Sequence, residues 1–579
     1  MQPIQWSKKE IREQMEVVKG NLPPTKLIQN ATWLNSVTKK WQKGHIWIHH
    51  DRIVYVGKEM PAQLQGVEVT DVGGAPVVPG YIEHHAHPFQ LYHPLSLARY
   101  ASERGTTTLI NDNMKLFLHF TKKKAFTLLE ELQKTPVLML WWARFDPQTA
   151  LKDHDRFFSY ANVMDWLHHP YVVQGGELTD WPSVLNGDDA MLQWMQETKA
   201  KNMPIEGHLP GAGEKTLTQM ALAGVDCDHE AMTGEELIRR LNLGYTCSLR
   251  YSSIRPDLPD LLDTVREEGL SSCDKILMTT DGSPPKVMQE GVMDRLIQIA
   301  VNKEIPFIDA VNMCTYNVAR HYKMDHLIGI IAPGRLANVN VLDSEQNPLP
   351  VSVMGKGKWI VRDHEAQTTI PDPDWAQLGF KPFELDWDLT EEDLQFSMPL
   401  GLEMVNDVIM KPYRPSLDMS LHTIPEERDE CFFVLVDRHG EWRVNTVIKG
   451  FANRLNGLAS SYSNTGDIIL IGKSKQGLLD AFNALKNQGG GMAIVEEGGS
   501  VKGRIPLPLN GALSDKELVD IAKEEEHFMN VLQQKGYRYS DPVYSLLFFS
   551  ATHLPYVRVT QKGIYDVKQK KVLFPSIMR

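Results

Sequence analysis

The spacing of apolar and polar positions changes period along the chain. Lys8 to Val18 carries apolar residues at helical intervals, which predicts an exposed amphipathic helix closed by Gly20. From Lys26 to Gly57 the pattern shortens to the runs KLIQNA, HIWIHH and RIVYVG with turn residues between them, which predicts a small β layer. From about Val77 to Asp281 a strand followed by a helix repeats, the mark of parallel strands with crossover helices. Eight candidate strands are VVPGYIEHHAH, TTTLIND, PVLMLWWA, YVVQGGE, PIEGH, GVDCDHE, TCSLR and KILMTTD. Eight such units in one stretch predict a closed (β/α)8 barrel, in which side chains at the C-terminal strand ends converge on one site.

That geometry gives meaning to residues that are ambiguous singly. His85 and His87 stand two apart on the first strand, so alternation turns both to one face and His84 to the other. Glu177 ends the fourth strand, His208 the fifth and Asp281 the eighth, with His229 on the sixth. Each has an ordinary explanation, as a loop carboxylate, a turn cap or a turn former. Together, four imidazoles and two carboxylates at five strand ends predict a metal centre. They suffice for two divalent ions, with Glu177 between them, and the mixed nitrogen and oxygen donors suit manganese, iron or zinc. Water held by such ions becomes a nucleophile near neutral pH, with Asp281 as the proton-transferring group. By contrast, His45, His49 and His50 have no partners arranged around them and read as structural.

Composition narrows the remaining classes. A chain of 579 residues exceeds one growing core, so two or three domains are expected. The net charge of −12 leaves no basic stripe for a nucleic-acid polymer. The five cysteines, Cys227, Cys247, Cys273, Cys314 and Cys431, lack any paired spacing and read as reduced thiols. The charged N-terminus has no apolar core of a signal peptide, and no run is long enough to cross a bilayer. The expectation is a soluble, cytoplasmic protein.

The order His-x-His, then His, His and Asp around eight units resembles the amidohydrolase superfamily. The segments PGYIEHHAH, RGTTTLIND, GGELTDWPSVL, EGHLPG, AGVDCDHEAMTGEEL and TTDGSPP resemble more closely the bacterial adenine deaminase family. The likeness continues in GLASSYSNTGDIILIG and IPLPLNGALSD. It implies an α/β chain, a metal-dependent hydrolase barrel with a small composite β-sandwich and a C-terminal α+β domain. The expected divisions are a helical extension at 1–25, the sandwich from 26–76 and 332–365, the barrel at 77–331, a wrapping linker at 366–425 and the last domain at 426–579. It also implies a small-molecule partner, a purine or related heterocycle, and a glutamate, here Glu177, where relatives use a modified lysine. The number of subunits is left open, a homo-oligomer among the possibilities.

Departures from that family pattern concern the substrate. Asp281-Gly282 replaces a paired Asp-Asp, Gly291-Val292 replaces Gly-His, and Ser463-Asn464-Thr465-Gly466-Asp467 replaces a His-Asp-Ser-His-Asn run. Glu83 and Asn338 stand where aspartates are usual, and both read as quiet changes. Every expected metal ligand is kept. The leading expectation is deamination of adenine to hypoxanthine. A cyclic amide or another nitrogen heterocycle is the alternative, ahead of a non-catalytic binding protein. Trp141, Trp142, Arg144, Arg250 and Ser252 lie at barrel-strand ends, and no substrate-binding residue is assigned among them.

Overall fold

The structure, a computed structural model, describes residues 6–270 and 272–579, so the expected helical extension is described only from Trp6. Its helix spans Lys8–Val18, with Ser7 and Glu10 forming a reciprocal cap at the N-terminus.

The barrel strands are β1 (Tyr81–Ala86), β2 (Thr106–Asn111), β3 (Leu138–Ala143), β4 (Val172–Leu178), β5 (Ile205–Gly207), β6 (Cys227–Asp228), β7 (Thr246–Arg250) and β8 (Ile276–Thr279). They run parallel in sequence order from β1 to β8. Their residues are buried almost throughout, as expected of parallel strands covered on both faces. Ile82, Ile110, Leu140, Trp142 and Leu277 pack together with Val318 and Tyr322.

No backbone ladder joins β8 to β1 among the described residues. A side chain does so instead. Glu83 accepts hydrogen bonds from Thr279 Oγ1 (2.7 Å), Thr280 Oγ1 (2.7 Å) and Thr280 N (2.8 Å), as well as from His85 N (2.9 Å). The substitution read as quiet is thus the clasp of the barrel.

The segments around the barrel form one nine-stranded sheet, in which Pro76–Pro79 pairs with Val339–Val341. A second nine-stranded sheet lies in the C-terminal region, with the helix Lys475–Gln488 packed on it. Gly489 ends that helix in a left-handed conformation. The expected linker needs correction. Gly401–Met404 and Met410–Tyr413 pair with each other and extend this sheet at its edge. Short strands, one interrupted by Pro412, lack the alternation that marks longer ones, and an edge tolerates the proline. No helix among the described residues is long and apolar enough to cross a membrane.

Candidate active site

The six predicted side chains lie together, and four of them, His87, Glu177, His208 and Asp281, line one cavity. Asp281 Oδ1 lies 3.2 Å from His87 Nε2 and 3.4 Å from His85 Nε2. Glu177 Oε1 lies 2.9 Å from His208 Nδ1 and 3.5 Å from His229 Nε2. The donor atoms of His85, His87 and Asp281 all fall within 4.8 Å of one another, as do those of His85, Glu177 and His229. Burial works against charge on Asp281, but the Arg250 guanidinium and the imidazoles of His85 and His87 outweigh it and hold the carboxyl well below its usual range. Glu177 is likewise depressed against its own burial by Arg144 and by His208 and His229.

The donor set fits a divalent metal on an observation independent of spacing. His85 is fully buried, and neither ring nitrogen makes a hydrogen bond among the described residues. Leaving such a group unpaired is costly, and a cation removes the cost. Carboxylates behind the imidazoles orient two of them, Asp112 Oδ2 at 3.0 Å from His87 Nδ1 and Glu206 Oε1 at 2.9 Å from His229 Nδ1.

His84 departs from the simple alternation. The ladder between β1 and β2 is irregular between Glu83 and Ala86. His84 therefore also turns to the barrel interior, where its Nε2 lies 3.1 Å from Ser248 Oγ on β7. Of the adjacent tryptophans, Trp142 packs under the site with its ring 4.4 Å from that of His85, while Trp141 packs against Phe89.

Sequence reasoning missed Glu230 and left Arg144 without a role. Glu230 follows His229 directly, its Oε1 lies 3.4 Å from His208 Nδ1, and Arg250 and Arg255 neutralise it at 2.7 and 2.9 Å. Its adjacency to His229 was the available signal. Arg144 is buried and joins two carboxylates, donating to both oxygens of Asp112 at 2.8 Å and pairing with Glu177 Oε2 at 2.7 Å.

Gly282 stands where a side chain would crowd His87. Gly282 lies at φ +66°, and a Cβ there falls 2.3 Å from Cβ of His87. Gly282→Ala is therefore expected to displace His87 and lower the metal retained after reconstitution, read by elemental analysis. Retention equal to the parent protein rules this account out.

The cavity measures about 430 Å³, and its roof comes from the C-terminal region. Asn406–Ile409, Tyr462, Asn464, Tyr544, Phe548 and His553 face Phe89, Met114, Met232 and Ile254 of the barrel across it. Asp467 stays outside this lining, held by Thr465 and Gln561. The result is a concave, largely apolar cavity with ligand-type groups on one wall, the form of a site for a small organic ligand.

Residues 77–362 match the Amidohydrolase family, and residues 412–571 match the Adenine deaminase C-terminal domain. A protein of Halalkalibacterium halodurans named "Putative adenine deaminase" is 55% identical over 579 residues, covering all of both chains. "Adenine deaminase 2" of Carboxydothermus hydrogenoformans is 27% identical over 98% of this chain and 100% of its own. Among solved structures, the β-aspartyl dipeptidase of Fervidobacterium islandicum AW-1 superposes with a TM-score of 0.47 at 18% identity, covering 60% of this chain and 99% of that one. The family implies a divalent metal cofactor. By full-length identity and by both matched regions, the chain belongs to the adenine deaminase family of the amidohydrolases.

Proposed function

We propose that the protein is a metal-dependent aminohydrolase that converts adenine to hypoxanthine and releases ammonia. Two divalent ions, manganese, iron or zinc, would be held by His85, His87, Glu177, His208, His229 and Asp281. The observation that carries this reading is the buried imidazole of His85, neither of whose ring nitrogens makes a hydrogen bond, among those ligand-type groups. The kinship with proteins named adenine deaminase supplies the substrate.

When bound, the ions supply Lewis acidity and a water acidic enough to act near neutral pH. Asp281 accepts a proton from the attacking water and passes it to the departing amine nitrogen, so that water adds at the amine-bearing ring carbon and ammonia leaves. Arg250 holds Asp281 Oδ2 at 2.7 Å, which orients the other oxygen toward His85 and His87. Arg144 does the same for Glu177. The C-terminal residues narrow the access of water to the site, which strengthens each of these interactions.

A second reading, hydrolysis of a cyclic amide or another nitrogen heterocycle, is favoured by the absent histidines in Ser463–Asp467 and by a cavity roomy for a bare base. One assay separates the two. Protein reconstituted with manganese, iron or zinc is offered adenine, other aminopurines, aminopyrimidines and cyclic ureides, and ammonia and ring opening are followed. Adenine turnover that chelator abolishes and metal restores is the expected result. Hydrolysis of another ring with adenine untouched replaces the first reading with the second.

A further inference from the structure

Six polar residues of the C-terminal region line the roof: Asn406, Asp407, Tyr462, Asn464, Tyr544 and His553. Four are engaged within the protein. Asn406 Oδ1 accepts from Val408 N (3.0 Å) and Ile409 N (2.8 Å), and Asp407 accepts from Asp541 N (2.6 Å) and Ser540 Oγ (2.9 Å). Tyr462 donates to Gln90 Oε1, and Tyr544 donates to Gly282 O (2.9 Å). The side chains of Asn464 and His553 make no hydrogen bond among the described residues, and Asn464 Nδ2 and His553 Nδ1 are buried as well. Asn464 itself is 4% exposed.

Both residues are nevertheless held in place. Lys115 donates its Nζ to Ser463 O (2.6 Å) and Asn464 O (3.2 Å), which fixes the Asn464 backbone to the barrel. Thr552 N donates to Gln148 O (2.8 Å), which fixes the neighbour of His553. The His553 ring stands edge-on to His208 at 5.1 Å and to Phe548 at 5.5 Å. A rigid backbone carrying unspent hydrogen-bonding groups at a cavity wall is the arrangement of a ligand-reading residue.

We infer that Asn464 and His553 are the specificity-determining residues of the site and read the edge of the substrate ring turned toward the C-terminal region. With Asn464 Nδ2 and His553 Nδ1 shielded from the cavity, Asn464 Oδ1, an acceptor, and His553 Nε2, a donor or acceptor by tautomer, are the groups left for a ligand. Their complement is a ring edge that presents both N–H and unprotonated nitrogen, as fused nitrogen heterocycles of the purine type do and a carbocyclic edge does not. The inference rests on the aminohydrolase reading and names what that site selects.

The test compares metal-loaded parent protein, Asn464→Ala, His553→Phe and the conservative His553→Gln. Each is assayed on the best amine substrate and on analogues in which one ring nitrogen is replaced by C–H or one N–H is methylated. Parent protein is expected to disfavour the matching analogue about tenfold or more in kcat/KM, mainly through KM, as one buried hydrogen bond requires. That preference should collapse in Asn464→Ala or His553→Phe and return in part in His553→Gln, with metal content unchanged. Variants that keep the full preference overturn the inference while leaving the aminohydrolase reading intact. Absence of turnover of every amine by the parent protein overturns that reading, and the inference with it.

Discussion

Asp281→Asn is expected to lower ammonia release by about a hundredfold to ten-thousandfold, the range contributed by a positioned proton-transfer group. The amide keeps the shape of the carboxylate, so the fold should survive, but it cannot accept the proton that attack on the ring carbon releases. The position also demands its conformation. Asp281 lies at φ +51°, a region where aspartate is tolerated better than most residues, and Arg250 and His87 grip it from two sides. Activity should be assayed beside circular dichroism and metal content. An Asn variant with parental turnover removes Asp281 from the mechanism.

Arg144→Met is expected to give the largest loss of stability, about 3–5 kcal/mol of unfolding free energy in metal-free protein. Its guanidinium is buried between Asp112 and Glu177, which are themselves buried. Removing it leaves two carboxylates facing each other without a cation, so the cost comes from the charges left behind rather than from the lost contacts alone. Denaturant unfolding measures it. An Arg144→Met, Asp112→Asn pair should recover part of the loss, because one of the stranded charges is gone. A single variant as stable as the parent contradicts this account.

The barrel was legible because short strand-like runs alternate with helical stretches in one repeating order, and the site because ligand-type residues stand at the ends of those runs. His85, His87, Glu177, His208, His229 and Asp281 needed only a register to be brought together, and β1, β4, β5, β6 and β8 supply it. Glu230, Asp112 and Glu206 were not legible to the same degree, since a carboxylate that orients an imidazole is defined by a partner on another strand. Arg144 was visible as a residue at a strand end but not as a bridge, for the same reason. The alternation rule misplaced His84 because it cannot foresee a bulge. The strands Gly401–Met404 and Met410–Tyr413 were hidden by their length and by Pro412. The roof was out of reach altogether, because it joins Asn464 and His553 to barrel loops hundreds of positions earlier.

The Glu83 clasp ties mechanical integrity to chemistry. Every other neighbouring pair of barrel strands is joined by repeated backbone hydrogen bonds, whereas β1 and β8 are joined through one carboxylate and two threonines. A ring opens first at its weakest joint, and these are the strands that present His85, His87 and Asp281. Transient parting of that joint would scatter these three side chains while the rest of the ring stays folded. Thermal breathing of the barrel should then reach the metal centre long before it reaches the core, so that inactivation by heat begins as an escape of metal rather than as unfolding.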